Sequence, residues 1–123
     1  MKAILSIKPQ FVEKILNGEK KYEYRKRIFK QEIDSVIIYS TMPVGMLVGE
    51  FKIEKVLHDN IDEIWEKTKD FSGISHEHYK KYFKNKGTAY ALKLKDLLIY
   101  EKPICPTELI LDFKPPQSFC YLK

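Results

Sequence analysis

An α+β fold built on a mostly antiparallel, curled sheet or small barrel is predicted by three features of the chain. Short runs with strand character are spread along its whole length. Helical periodicities are inserted between them at irregular intervals, and no regular βαβ rhythm sets in that would call for a parallel sheet. The 123 residues fit one domain spanning 1–123. A chain of this length buries roughly two-thirds of the surface its unfolded form exposes, enough for one core. With 44% apolar and 13% aromatic residues, disorder is not expected.

Ala3 to Ile7 is a short apolar run suited to a first strand, closed by Lys8-Pro9. Pro9 sits where the first turn of a helix tolerates a missing N–H. Phe11, Val12, Ile15 and Leu16 then recur at helical spacing, and Asn17-Gly18 supplies a left-handed stop. A basic strand follows. Val36 to Tyr39 reads as a buried strand ending in Ser40-Thr41, and Met46 to Val56 as an alternating one. Gly49 interrupts the latter, which suggests a bulge or a close backbone approach.

Asn60 and Glu63 have capping-box spacing before a helical face of Ile61, Ile64 and Trp65. Ser75 is an acceptable N-cap for a second short helix presenting Tyr79, Tyr82 and Phe83 inward. Thr88 to Leu94 and Leu97 to Glu101 read as two further strands, the second ending before Pro103. The tail turns through Pro115-Pro116 into a last apolar strand. No internal repeat, linker or low-complexity segment interrupts this order.

The stretch from Gly18 to Lys30 concentrates the charge. Between Lys20 and Lys30, the six cations Lys20, Lys21, Arg25, Lys26, Arg27 and Lys30 stand against one acid, Glu23, a local excess of +5 that equals the net charge of the whole chain. Tyr22, Tyr24 and Phe29 are interleaved. Cations attract phosphate and aromatic rings offer faces for bases, so the segment suits an anionic, nucleic-acid-like ligand. Strand alternation puts Tyr22 and Tyr24 on one face and Glu23, Arg25 and Arg27 on the other. With the tyrosines in the core, Glu23 and Arg25 form either a mutual ion pair or the polar floor of a pocket, and strand twist at the glycine turn could add Lys20. The competing reading is an ordinary edge strand protected by lysines. Lys20 and Glu23 also admit catalysis, a lysine of lowered pKa acting as base beside a carboxylate.

Other chemistries find little support. Cys105 and Cys120 lack a paired motif, and His58, His76 and His78 do not have zinc-ligand spacing, so neither metal nor cofactor is expected. No glycine-rich phosphate loop, nucleophile elbow or dinucleotide fingerprint occurs. The Trp65, Tyr79, Tyr82 and Phe83 set reads as core before it reads as a stacking platform. No apolar run reaches membrane-spanning length and no signal-peptide core is present, so a cytoplasmic location without membrane contact is expected. The sequence pI of about 9.1 favours an anionic partner.

The motif Gly18-x-Lys20-x-x-Glu23-x-Arg25 resembles the signature of the ASCH domain, a relative of the RNA-binding PUA domains. The likeness extends to Ser6-Ile7-Lys8-Pro9, Val48-Gly49-Glu50-Phe51, Phe71-Ser72-Gly73-Ile74, Ala89-Tyr90-Ala91-Leu92 and Pro115-Pro116-Gln117-Ser118-Phe119, as in the small stand-alone prokaryotic and phage-type members. The resemblance implies a PUA-like β-barrel with helices packed around it. A cleft lined by the signature would bind RNA or a modified nucleotide in connection with transcription or translation. Apart from the resemblance, the sequence also admits an interaction module with a protein partner.

Carried over by residue, Lys20, Glu23 and Arg25 are the polar groups of that cleft and Gly18 is the turn that positions them. Lys8, Ser40 and Gln117 join the candidate set through their places at strand ends. Two enzymatic variants of the family are also implied. One resembles amidohydrolases of acylated cytidine, which would use Lys20 and Glu23; here Glu23 replaces their threonine, and the region around Phe71 and Ser72 supplies no glutamate in register. The other resembles ribonucleases that use a lysine and a serine, for which Lys20 with Ser40 or Ser118 are the candidates.

Overall fold

The computed structural model describes residues 1–122. Strand β1 (Lys2–Ile7) leads into helix α1 (Pro9–Leu16), strand β2 (Tyr22–Arg25), strand β3 (Ser35–Ser40) and the long strand β4 (Met46–Asn60). Helix α2 (Ile61–Thr68), a 3₁₀ turn (Lys69–Phe71) and helix α3 (His76–Tyr82) precede strand β5 (Thr88–Ile104). A second 3₁₀ turn (Pro106–Glu108) and strand β6 (Phe119–Leu122) complete the order. The six strands form one sheet in the order β2-β5-β4-β3-β1-β6.

Every adjacent pair is antiparallel except β1 with β3, which are separated by α1 and β2 and so have the crossover that a parallel pair requires. The fold is therefore α+β and mostly antiparallel, as the sequence predicts. The sheet is not hydrogen-bonded into a closed barrel, because β2 and β6 remain as edges. It curls far enough, though, that Arg25 on β2 donates from Nη2 to Ser6 O on β1, 2.9 Å, and from Nη1 to Ser118 Oγ just before β6, 3.2 Å. A side chain closes the gap that backbone pairing leaves open.

Three apolar clusters hold the sheet. Leu5, Ile7, Val36, Ile38 and Phe51 meet Val12 and Ile15 of α1 inside the curl. On the outer face Tyr24, Ala89 and Ala91 pack with Ile64 of α2 and with Tyr79 and Phe83 from the α3 region. Farther along, Ile4, Ile37, Tyr39 and Leu47 are covered by Ile110 and Phe113. Both expected helix caps form: Asn60 Oδ1 accepts from Glu63 N at 2.9 Å and Ser75 Oγ from His78 N at 3.0 Å.

Two boundaries differ from expectation. The basic segment is a strand only over Tyr22–Arg25, because its partner β5 pairs with it only from Tyr90 to Lys93. Thr88 to Leu94 and Leu97 to Glu101 are one strand, not two. Asp96 takes a left-handed φ of 50°, and the pairing with β4 shifts register there and resumes beyond it. Pro103 is tolerated because β2 does not reach that part of β5, so no ladder bond is lost on that side. Gly49 shows both expected features. The β3–β4 register shifts beside it, and a Cβ there would stand 2.6 Å from Leu98 O.

Candidate functional site: a cationic cleft around Lys20, Glu23 and Arg25

Lys20 is placed by two turns that both need glycine. Gly18, at φ 86°, ends α1 and turns the chain back. Gly73, at φ 68°, gives the Lys20 side chain its path, since a Cβ at that position would lie 2.7 Å from Lys20 Cγ and closer still to its Cβ. Lys21 N donates to Phe71 O and Leu94 N donates to Lys21 O, which fixes the backbone on both sides. The result is a lysine only 3% exposed. Lys20 Nζ donates to Ser72 O at 2.7 Å and lies 4.7 Å from the centre of the Tyr24 ring.

Alternation along β2 sends Tyr22 and Tyr24 toward α2 and α3 and turns Glu23 and Arg25 the other way. That other face is not open: Glu23 is 6% and Arg25 8% exposed, because the curl of the sheet encloses them. Glu23 joins the two cations, with Oε2 accepting from Arg25 Nη2 at 2.8 Å and Oε1 lying 3.9 Å from Lys20 Nζ. Both expected readings of the pair therefore hold at once, an ion bridge and a pocket floor. Lys20 reaches the same site because it precedes the strand and escapes its alternation. Burial pushes the Lys20 amine down to about 8, against the opposing pull of Glu23 and with a smaller push from Arg25. Burial likewise raises the Tyr24 phenol to about 12, and its hydroxyl bonds Thr68 Oγ1 at 2.7 Å.

These groups form the base of a cleft of about 670 Å³. Lys8, Lys26 and Arg27 stand on its walls, so five cations face one carboxylate. Gln117 and Ser118 border it from the chain leading into β6, and Ser6 and Thr41 from the ends of β1 and β3. Phe11, Tyr82 and His78 supply ring surface. The His78 ring meets Phe11 edge-on at 5.1 Å, and Lys26 Nζ lies 4.6 Å from the Tyr82 ring centre.

Of the candidate residues, Lys8, Lys20, Glu23, Arg25 and Gln117 thus come together. Ser40 does not join them. It is buried at the end of β3 and borders a separate shallow hollow with Pro9, Val12 and Val44, while the next residue, Thr41, turns to the cleft. Sequence reasoning missed His78, Tyr82, Phe11, Ser6, Lys26 and Arg27 as cleft residues. Lys26 and Arg27 belonged to the charged stretch. His78 carries no local signal, because its place depends on how α3 docks.

Among known protein families, the ASCH domain matches residues 5–98. The chain belongs to the ASCH domain family. A protein of Zymomonas mobilis named an ASCH domain-containing ribonuclease is 30% identical over 128 aligned positions, covering 98% of this chain and 84% of that one. Crystal structures of ASCH from Zymomonas mobilis, among them one Tyr-to-Phe and one Ser-to-Ala variant, superpose with a TM-score of 0.91 at 28% identity. They cover 99% of this chain and 87–90% of theirs. A Ureaplasma parvum chain named large ribosomal subunit protein uL22 is 38% identical over 88 residues, 72% of this chain but only 28% of that one. Among the described residues of this ASCH domain, no helix is long and apolar enough to cross a membrane.

Proposed function

We propose that this ASCH domain binds single-stranded RNA in the cleft and cuts it there. The observation that carries the reading is the buried Lys20 amine, lowered to about 8, at the floor of a cleft where cations outnumber acids five to one. Lys8, Lys26 and Arg27 hold backbone phosphates, and the rings of Phe11, Tyr82 and His78 give bases a surface to stack on. Arg25 is fixed by Glu23, Ser6 O and Ser118 Oγ, so its charge is already oriented when a phosphate enters. The similarity to a protein named a ribonuclease, extending over nearly the full chain, supports the same reading.

The chemistry follows from the amine. At pH 7 roughly a tenth of a group with a pKa near 8 is neutral and holds a lone pair. That lone pair takes the proton of a ribose 2′-hydroxyl, and the 2′-oxygen attacks the adjacent phosphorus. The P–O5′ bond breaks, leaving a 2′,3′-cyclic phosphate and a 5′-hydroxyl whose proton comes from solvent. Arg25 balances the charge that builds on the phosphoryl oxygens, and the Ser118 hydroxyl stands beside it. In the alternative amidohydrolase reaction on an acylated nucleoside, Glu23 would have to act while held by Arg25 at 2.8 Å, which favours the ribonuclease reading.

The test is incubation of the purified chain with an end-labelled single-stranded RNA. Binding that weakens steeply with salt and products ending in a cyclic phosphate are expected. Lys20→Ala is expected to keep the binding and lose the cutting. RNA that stays intact while bound would reduce the function to binding alone, and absence of binding would remove both.

A further inference from the structure

Four lysines occupy the outer face of β4 and β5, away from the cleft. Lys52 is paired directly with Lys95 and Lys55 directly with Lys93. Lys52, Lys55 and Lys95 are exposed. Like charges placed opposite each other across an antiparallel ladder destabilise it. Two ordinary explanations account for such lysines only in part. Lysines often guard an unpaired strand edge against another chain, and here Lys95 lies beyond the reach of β2 and Lys52 and Lys55 beyond that of β3. Edge protection does not, however, call for two lysines placed directly opposite each other across the β4–β5 ladder. Ion pairing accounts for only part of the set: Glu54 bonds Lys93 at 2.9 Å, and Asp34 near Lys52 is taken by the N-terminal ammonium. The hydrogen bond from Lys93 holds the Glu54 carboxyl below the usual carboxylate range, and Lys55 and Lys95 add to it in smaller measure.

The same face is covered at one end by α2 and α3, over Leu57 and Ala91, and at the other by Ile110 and Phe113, over Ile37 and Leu47. The lysines fill the uncovered stretch between. Lys93 lies directly opposite Tyr22, whose neighbour Glu23 faces the cleft. Only the four-residue edge strand β2 therefore separates the lysine patch from the cleft, and exposed Lys21 lies on the way.

Resting on the RNA reading above, we propose that Lys52, Lys55 and Lys95 form a second contact for the phosphate backbone of the same RNA strand, which leaves the cleft over the β2 edge. The patch has no ring surface of its own among these lysines, so it grips without reading sequence, and it matters only for strands long enough to cross the edge.

The experiment compares fluorescently labelled single-stranded RNAs of about four and about sixteen nucleotides, the span of common single-strand footprints. The wild-type chain is set against the triple variant Lys52→Gln, Lys55→Gln, Lys95→Gln, with anisotropy read at several salt concentrations. The variant is expected to bind the short RNA as the wild type does. For the long RNA its plot of log K against log salt becomes shallower by about 2, the share of three phosphate contacts on a single strand. Its melting temperature stays equal or rises, because the like-charge pairs are gone. An unchanged slope, an equal loss on both lengths, or a lower melting temperature overturns the proposal. So does charge-dependent binding of wild type to phosphatidylserine vesicles without binding to the long RNA. Arg25→Ala separates the two ideas. If it weakens neither RNA while the triple variant weakens the long one, the cleft reading fails and the patch remains.

Discussion

The Lys20 side chain runs across Gly73 at a separation that no Cβ would allow. The glycine is left-handed as well, so two independent requirements meet at one residue. Gly73→Ala is expected to destabilise the fold by about 1–3 kcal/mol, the usual range for overpacking a filled site. It should also displace the amine from Ser72 O. A urea titration gives the first effect, and loss of RNA cutting out of proportion to the loss of stability gives the second.

Stability should depend on pH in a window set by Lys20. Below pH 8 the amine is charged in the folded and unfolded chain, and the folded state carries the cost of burying it. Between about 8 and 10.5 the folded amine has lost its proton while the unfolded one keeps it, so the unfolded chain binds more protons and stability rises with pH. The full shift corresponds to on the order of 3 kcal/mol. Tyr24 acts in the opposite sense from about pH 10, since its folded phenol stays protonated up to about 12. A rise in urea midpoint from pH 7.5 to 10, absent in Lys20→Met, is the expected result. A flat profile in the wild type contradicts the lowered pKa.

Glu23 is the counter-charge for two buried cations. Glu23→Gln leaves Lys20 and Arg25 facing each other without it, and loss of one partner from a buried pair costs about 3–5 kcal/mol. The Lys20 amine should then fall further, because Glu23 is what holds it up. The two effects are read by thermal unfolding and by the pH dependence of Lys20 side-chain NMR shifts.

Gly49→Ala tests the sheet apart from the cleft. The added methyl would meet the Leu98 carbonyl at 2.6 Å, and a backbone atom in a central pair of strands has little room to retreat. A loss of about 1–3 kcal/mol is expected. RNA binding per folded molecule should be unchanged, since Gly49 lies outside the cleft lining.

Much of this architecture was legible in the residues themselves. The Pro9 helix with its Gly18 stop, the Asn60 and Ser75 caps and the Gly49 irregularity are all set by local chemistry, and each appears where expected. The charged stretch announced the cleft because Glu23 had no local reason to stand among cations. The end of the basic strand at Arg25 was not legible, since the chain leaves β5 there although β5 itself runs on to Thr88. Nor was the continuity of β5 through Asp96, which depends on pairing with β4. Ser40 was placed at the right strand end but on the wrong side of α1, one residue from Thr41, which does border the cleft. His78 and Tyr82 enter the cleft only through the docking of α3, a long-range event with no trace in their neighbours.

The most direct measurement is a crystal structure of the chain with a short single-stranded RNA whose cutting is blocked by one 2′-deoxy sugar. The account predicts a phosphate within hydrogen-bonding distance of Arg25 or Lys20, with the deoxy position facing the Lys20 amine. An RNA bound elsewhere on the surface, with the cleft left empty, would contradict it.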